Sequence, residues 1–255
     1  MTSIQQRDAQ TVLSAIDDLL PRLRERAPEA EQLRRLPDAN IADLDAAGFF
    51  KLLQPEQWGG LQADPTMFFE AVRRIASACG STGWAGGILG VHNWHLAQFD
   101  QQAQEDVWAD DPTVRVSSSY APMGAGVVVD GGYLVNGTWL WSSGCDHATW
   151  TFAGGPVIKD GRPVDFGSFL MPLGDYQIRD DWNVVGLKAT GSNTLIVKDV
   201  FVPRHRFLSY GAMNDGTAGG LKTNTAAVYR MPWGTMHPTT ISTPIVGMAY
   251  GAYDA

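Results

Sequence analysis

The sequence predicts an α+β fold in which an N-terminal helical domain precedes a β domain, and three observations carry that expectation. Apolar residues recur at helical spacing up to Pro112, and the period then changes to the alternation of half-buried strands. Asp130-Gly131-Gly132, Asn136-Gly137 and Asp160-Gly161 fall between the alternating runs as hairpin signals.

The elements follow in order. Val12, Leu13, Ile16, Leu19, Leu20 and Leu23 sit between charged residues, so Ser3 to Leu36 reads as one long amphipathic helix. Asp38 offers an N-cap for a short helix ending at Gly48. Gln54 to Asp64, with its Gly-Gly pair, is a loop, and Pro65 fits the first turn of a helix running to Gly80-Ser81. A helix rich in small residues then reaches Phe99, and one more turn or two covers Gln102 to Trp108.

Strands are expected at Val114 to Tyr120, Gly126 to Asp130, Tyr133 to Val135, Trp139 to Trp141, Thr149 to Ala153, Phe166 to Met171, Tyr176 to Arg179 and Leu195 to Val202. A Gly/Thr/Asn-rich stretch from Tyr210 to Thr243 precedes a helical beginning at Pro244 to Ala255. The expected divisions are therefore 1–112 helical, 113–209 β, and 210–255 a linker with the start of a further helical domain.

Composition excludes several function classes. With 44% hydrophobic and 18% charged residues in 255, the chain is globular rather than disordered. A net charge of −8 opposes the basic surface that phosphate neutralisation needs, so no nucleic-acid partner is expected. No secretory leader and no run of about 18 apolar residues is visible, so no membrane span is expected. Cys79 and Cys145 are too few and too far apart for a disulfide framework or zinc site, and a cytoplasmic location follows. No G-x-G-x-x-G follows a strand, and Gly186 to Ser192 lacks the Gly-Lys pair of a phosphate loop. His92 and His95 share a helix face, but further metal ligands are not at hand, so no metal is expected.

Two features point to a planar ligand. Gly83-Trp84-Ala85-Gly86-Gly87-Ile88-Leu89-Gly90 is a costly sequence inside a helix, since each glycine costs up to about 1 kcal/mol relative to alanine. Either close helix packing or a bare surface open to a flat ligand beside Trp84 offsets that cost. Hydroxyls also cluster at Ser117-Ser118-Ser119, Ser142-Ser143 and Thr190-Gly191-Ser192. Trp139-Leu140-Trp141-Ser142-Ser143-Gly144 sets rings and hydroxyls at one strand end, where they would hold a heterocycle by its face and its polar edge.

These residues resemble a known family. Gly132 to Gly144 is similar to the acyl-CoA dehydrogenase pattern of a glycine, an Asn-Gly pair, and a Trp followed by a flavin-contacting hydroxyl. Val185 to Ser192, with Val197-Lys198-Asp199-Val200-Phe201-Val202-Pro203, resembles that family's glycine-rich turn and closing strand. Tyr120-Ala121-Pro122 stands where dehydrogenases carry Thr-Glu-Pro, and the helix bearing Trp84, His92, Asn93 and Trp94 resembles the flavin-dependent aromatic hydroxylases of the two-component type.

The resemblance implies an acyl-CoA dehydrogenase-like fold, with an antiparallel barrel or sandwich as its β domain and a C-terminal four-helix bundle largely missing from this chain. It implies ortho-hydroxylation of a phenol, a secosteroid of sterol-ring degradation among the candidates, through a flavin C4a-hydroperoxide. Reduced FMN, with FAD as the alternative, and dioxygen are the implied cofactor and cosubstrate. A separate NAD(P)H-dependent flavin reductase and a homotetramer are the implied partners. Ser143 is the implied stabiliser at flavin N5, and His92 the residue that binds or polarises the phenol, where a base with a pKa of about 7 is wanted. Trp84, Ser118, Ser119, Tyr120, Trp141 and Ser142 would line the flavin beside Ser143. An acyl-CoA dehydrogenase and a non-catalytic flavin-binding fragment remain as alternatives.

Overall fold

The computed structural model describes residues 3–254. Met1 and Thr2 of the expected helical domain, and Ala255 of the expected last helix, lie outside the described residues.

Six helices come first: α1 (Ser3–Glu25), α2 (Ala27–Leu33), α3 (Asp38–Ala46), α4 (Pro65–Ala78), α5 (Gly80–Leu96) and α6 (Gln101–Trp108). The long first helix of the sequence reading is two helices, because Pro28 has no N–H to continue α1 and sits instead in the first turn of α2. Pro37, not Asp38, holds the N-cap position of α3, and the Asp38 carboxylate pairs with Arg35. Asp64 caps α4, accepting from the Thr66 N–H at 2.9 Å, with Pro65 in the first turn as expected.

Helix α5 is buried along almost its whole length. Its glycines explain how it fits. A Cβ on Gly83 would stand 2.4 Å from that of Ala76, and one on Gly90 would stand 2.7 Å from the Phe68 ring, so α5 lies on the backbone of α4. Close packing therefore offsets the propensity cost of the glycine run, and the run does not form a bare ligand surface.

Eight strands form one sheet: β1 (Val116–Ser119), β2 (Gly124–Val129), β3 (Gly132–Ser142), β4 (Trp150–Lys159), β5 (Arg162–Pro172), β6 (Gln177–Arg179), β7 (Asn193–Pro203) and β8 (Phe207–Ser209). Their order is β6-β7-β3-β2-β4-β5-β8, with β1 also on β4. In place of the wholly antiparallel arrangement expected, the sheet is mixed. After the β2–β3 hairpin the chain crosses back and lays β4 on the far side of β2, so β1 and β2 both run parallel to β4.

Asn136-Gly137 is not a hairpin turn, since β3 runs straight through it. A register shift falls there, and Asn136 Oδ1 accepts the Asp199 N–H of the facing strand at 2.8 Å. A Cβ on Gly137 would stand 2.5 Å from Gly124 Cα, so this glycine serves close approach of β2 and β3.

The segment read as a linker also carries structure. A short α7 (Tyr210–Asn214) leads to α8 (Trp233–Tyr253), which begins eleven residues before Pro244 and passes through Pro238 and Pro244. Prolines masked that helix in the sequence. It packs on α4, where a Cβ on Gly247 or Gly251 would strike the carbonyl oxygens of Arg73 and Ser77.

Candidate active site

The register of β3 on β7 builds the site. Trp139 pairs with Leu195 and Ser142 with Asn193, which brings the end of β3 beside the Thr190-Gly191-Ser192 turn that leads into β7. A register shift between Trp139 and Ser142 puts Trp141 at φ 66°, a backbone conformation that an indole residue occupies only under constraint. The bulge turns the Trp141 side chain outward, leaving it 62% exposed.

Beyond that bulge, α5 and β1 close a cleft of about 400 Å³, within the range of small-molecule sites. Of the residues proposed from sequence, Trp84, Ser118, Ser119, Tyr120, Trp141 and Ser143 line it. Ser142 does not: its hydroxyl is buried on the other side of the strand, without a hydrogen-bond partner. His92 stands one layer behind the wall, fully buried between Tyr120 and Phe152. Additional lining comes from Trp182, Leu187, Ile241 and His237. The last two belong to α8, the helix hidden by its prolines, and His237 stacks on Trp233 with ring centroids 4.6 Å apart.

A line of hydroxyls forms the polar edge of the cleft. Trp84 Nε1 donates to Ser143 Oγ at 3.2 Å. Ser143 and Ser192 are bonded at 2.8 Å, and Ser192 and Thr190 at 2.7 Å. Thr190 Oγ1 donates to the Leu187 carbonyl at 3.0 Å, an oxygen that also receives the Trp182 indole N–H. Ser119 Oγ donates to the Leu140 carbonyl at 2.6 Å and fixes β1 against β3.

The histidines behind the wall are neutral. Burial pushes the His92 pKa down to about 3, and its Nδ1–H donates to the Val116 carbonyl. Its Nε2 is then an unprotonated acceptor, buried and without a partner. Burial likewise holds His95 well below the ordinary histidine range, and His95 Nδ1 is bonded to the Tyr120 hydroxyl at 2.9 Å. Desolvation thus leaves His92 a neutral acceptor rather than a base near neutrality.

The residues fit a flat, partly polar heterocycle such as a flavin ring. Indoles stand at the cleft, the Ser143 hydroxyl lines it, and Ile88, Leu140, Leu187 and Ile241 supply dry walls.

Comparison with known proteins agrees with this geometry. The model of the acyl-CoA dehydrogenase N-terminal domain matches residues 8–111. The oxygenase subunit HsaA of a flavin-dependent monooxygenase from Mycobacterium tuberculosis is 76% identical over 255 residues, all of this chain and 65% of that protein. The oxygenase component of an FADH2-dependent resorcinol hydroxylase from a Rhizobium species is 39% identical over 235 residues, 91% of this chain and 57% of that protein. A crystal structure of the HsaA monooxygenase from M. tuberculosis superposes with a TM-score of 0.96 at 76% identity, over 96% of this chain and 68% of that one. The chain thus spans about two thirds of the length of the first of these relatives and less of the second.

Proposed function

The chain belongs to the flavin-dependent monooxygenases of acyl-CoA dehydrogenase fold, and from that premise we propose that it acts as the oxygenase component of a two-component phenol hydroxylase. The observation that carries this reading is the polar edge of the cleft, where Ser143 is held between Trp84 and Ser192 beside the outward-turned Trp141. A phenolic secosteroid, which the sequence resemblance implies, is the proposed substrate. Reduced FMN is the proposed cofactor, with FADH2 as the alternative that the resorcinol hydroxylase's name supports.

When bound, the reduced flavin supplies the electrons that activate dioxygen. Trp84 and Trp141 would hold the ring by its face, Ser118 and Ser119 of β1 and the following Tyr120 would bound it, and Ser143 would meet its N5 edge. The apolar walls exclude water from that edge. His92 keeps its proton on Nδ1 and offers Nε2 to a phenol hydroxyl, which polarises the ring without removing the proton outright. Reaching Nε2 from the cleft requires Tyr120, which lines the cleft and meets the His92 ring edge-on, to move aside.

A separate NAD(P)H-dependent reductase, a cytoplasmic setting and a homotetramer complete the proposal. Both cysteines are free and buried, and among the described residues no helix is long and apolar enough to cross a membrane. Ile245, Val246, Tyr250 and Tyr253 on α8 are exposed apolar residues of the kind an oligomer covers.

The test is turnover of a 4-alkylphenol with the purified chain, a flavin reductase, NADH and FMN under ¹⁸O-labelled dioxygen. A catechol carrying one labelled oxygen is expected. NADH and dioxygen consumed without catechol overturns the reading.

A further inference from the structure

The hydroxyl line at the cleft edge has a direction. A backbone carbonyl only accepts, so the single proton of Thr190 Oγ1 is committed to Leu187 O. Its contact with Ser192 at 2.7 Å then requires Ser192 to donate. With the Ser192 proton so used, the 2.8 Å contact between Ser143 and Ser192 requires Ser143 to donate as well. The Trp84 indole, a donor only, takes one lone pair of Ser143. Ser143 therefore faces the cleft with a lone pair and no free proton. Thr190 and Ser192 are buried and Ser143 opens only on the cleft, so the order of donors is set within the line itself.

The geometry points to Thr190 and Ser192 as positioning residues that make Ser143 an acceptor and so select the reduced over the oxidised flavin. This rests on the reading that Ser143 meets flavin N5. Reduced flavin carries a hydrogen on N5 and donates there, whereas oxidised flavin presents a bare N5 that needs a donor. An acceptor-only Ser143 hydrogen-bonds the first and opposes its lone pair to the second. The cleft thereby takes flavin in the state a reductase delivers and releases it once oxidised.

Anaerobic calorimetric titration of the chain with dithionite-reduced FMN, and separately with oxidised FMN, gives the ratio of the two dissociation constants. The native ratio is expected to favour reduced FMN. Ser192→Ala frees the Ser143 proton and is expected to lower that preference about three- to tenfold, the worth of one hydrogen bond. Thr190→Val, which no longer accepts from Ser192, is expected to lower it in the same direction, and Thr190→Ser to restore it; circular dichroism checks that each variant is folded. A ratio unchanged in folded Ser192→Ala and Thr190→Val overturns the inference while leaving the flavin site intact. Native chain that binds neither form of FMN overturns the flavin reading and this inference with it.

Discussion

Trp84 on α5 and Ser143 at the end of β3 are joined by an indole N–H donated to a hydroxyl at 3.2 Å, across the seam between helices and sheet. The bond fixes the indole at the mouth of the cleft and occupies one side of the serine oxygen, so helix and strand share a single polar edge.

Trp84→Phe keeps an aromatic wall and deletes that donor. Unfolding in urea is expected to show a loss of about 1 kcal/mol, the net worth of one such bond. A loss above about 3 kcal/mol assigns the role of Trp84 to packing rather than to the bond.

Trp141 holds a left-handed backbone at φ 66° with most of its side chain in solvent. A residue so placed contributes little to folding and costs strain of about 1 kcal/mol. Trp141→Gly is expected to raise the urea midpoint while weakening reduced-FMN binding at least tenfold by titration. A fall in both assigns the bulge to fold stability alone.

The contrast between two glycines tests the packing of α5. Gly83→Ala drives a methyl into the Ala76 backbone and is expected to destabilise by about 2 kcal/mol or more. Gly186 has open space where its Cβ would lie, so Gly186→Ala is expected to change stability by less than about 0.5 kcal/mol. Equal effects in thermal unfolding remove close approach as the reason for Gly83.

The helical half and most strands were legible because period and turn chemistry are local. So were Trp141 and Ser143, which stand in one short run of rings and hydroxyls, and Trp84, which stands in the glycine run of α5. What stayed hidden depends on tertiary partners. Pro238 and Pro244 argue locally against α8, and its seat on α4 and α5 offsets their cost, so His237 and Ile241 could not be placed. Asn136-Gly137 carries the strongest short hairpin signal, yet its glycine answers to Gly124 across the sheet. The Thr190-Gly191-Ser192 cluster was visible, but its connection to Ser143 needs the β3–β7 register.

Histidine burial sets the acid response of the fold. His92 is held neutral, its pKa moved from an ordinary 6.5 down to about 3 by desolvation. Below pH 6.5 the unfolded chain takes up a proton that the folded chain refuses, so the unfolded state binds more protons and stability falls as pH falls. The loss begins near 6.5, accumulates down to about 3, and is absent at neutral pH. His95 and His237 are shifted in the same direction, also by burial, and add to it. Each such histidine contributes a slope of up to about 1.4 kcal/mol per pH unit. His92→Gln cannot titrate, so its unfolding free energy between pH 6.5 and 4.5 is expected to fall less steeply than that of the native chain by about one histidine's share. Parallel slopes for the two proteins mean that His92 is charged in the folded state, and with that its place as a neutral acceptor for the phenol is lost.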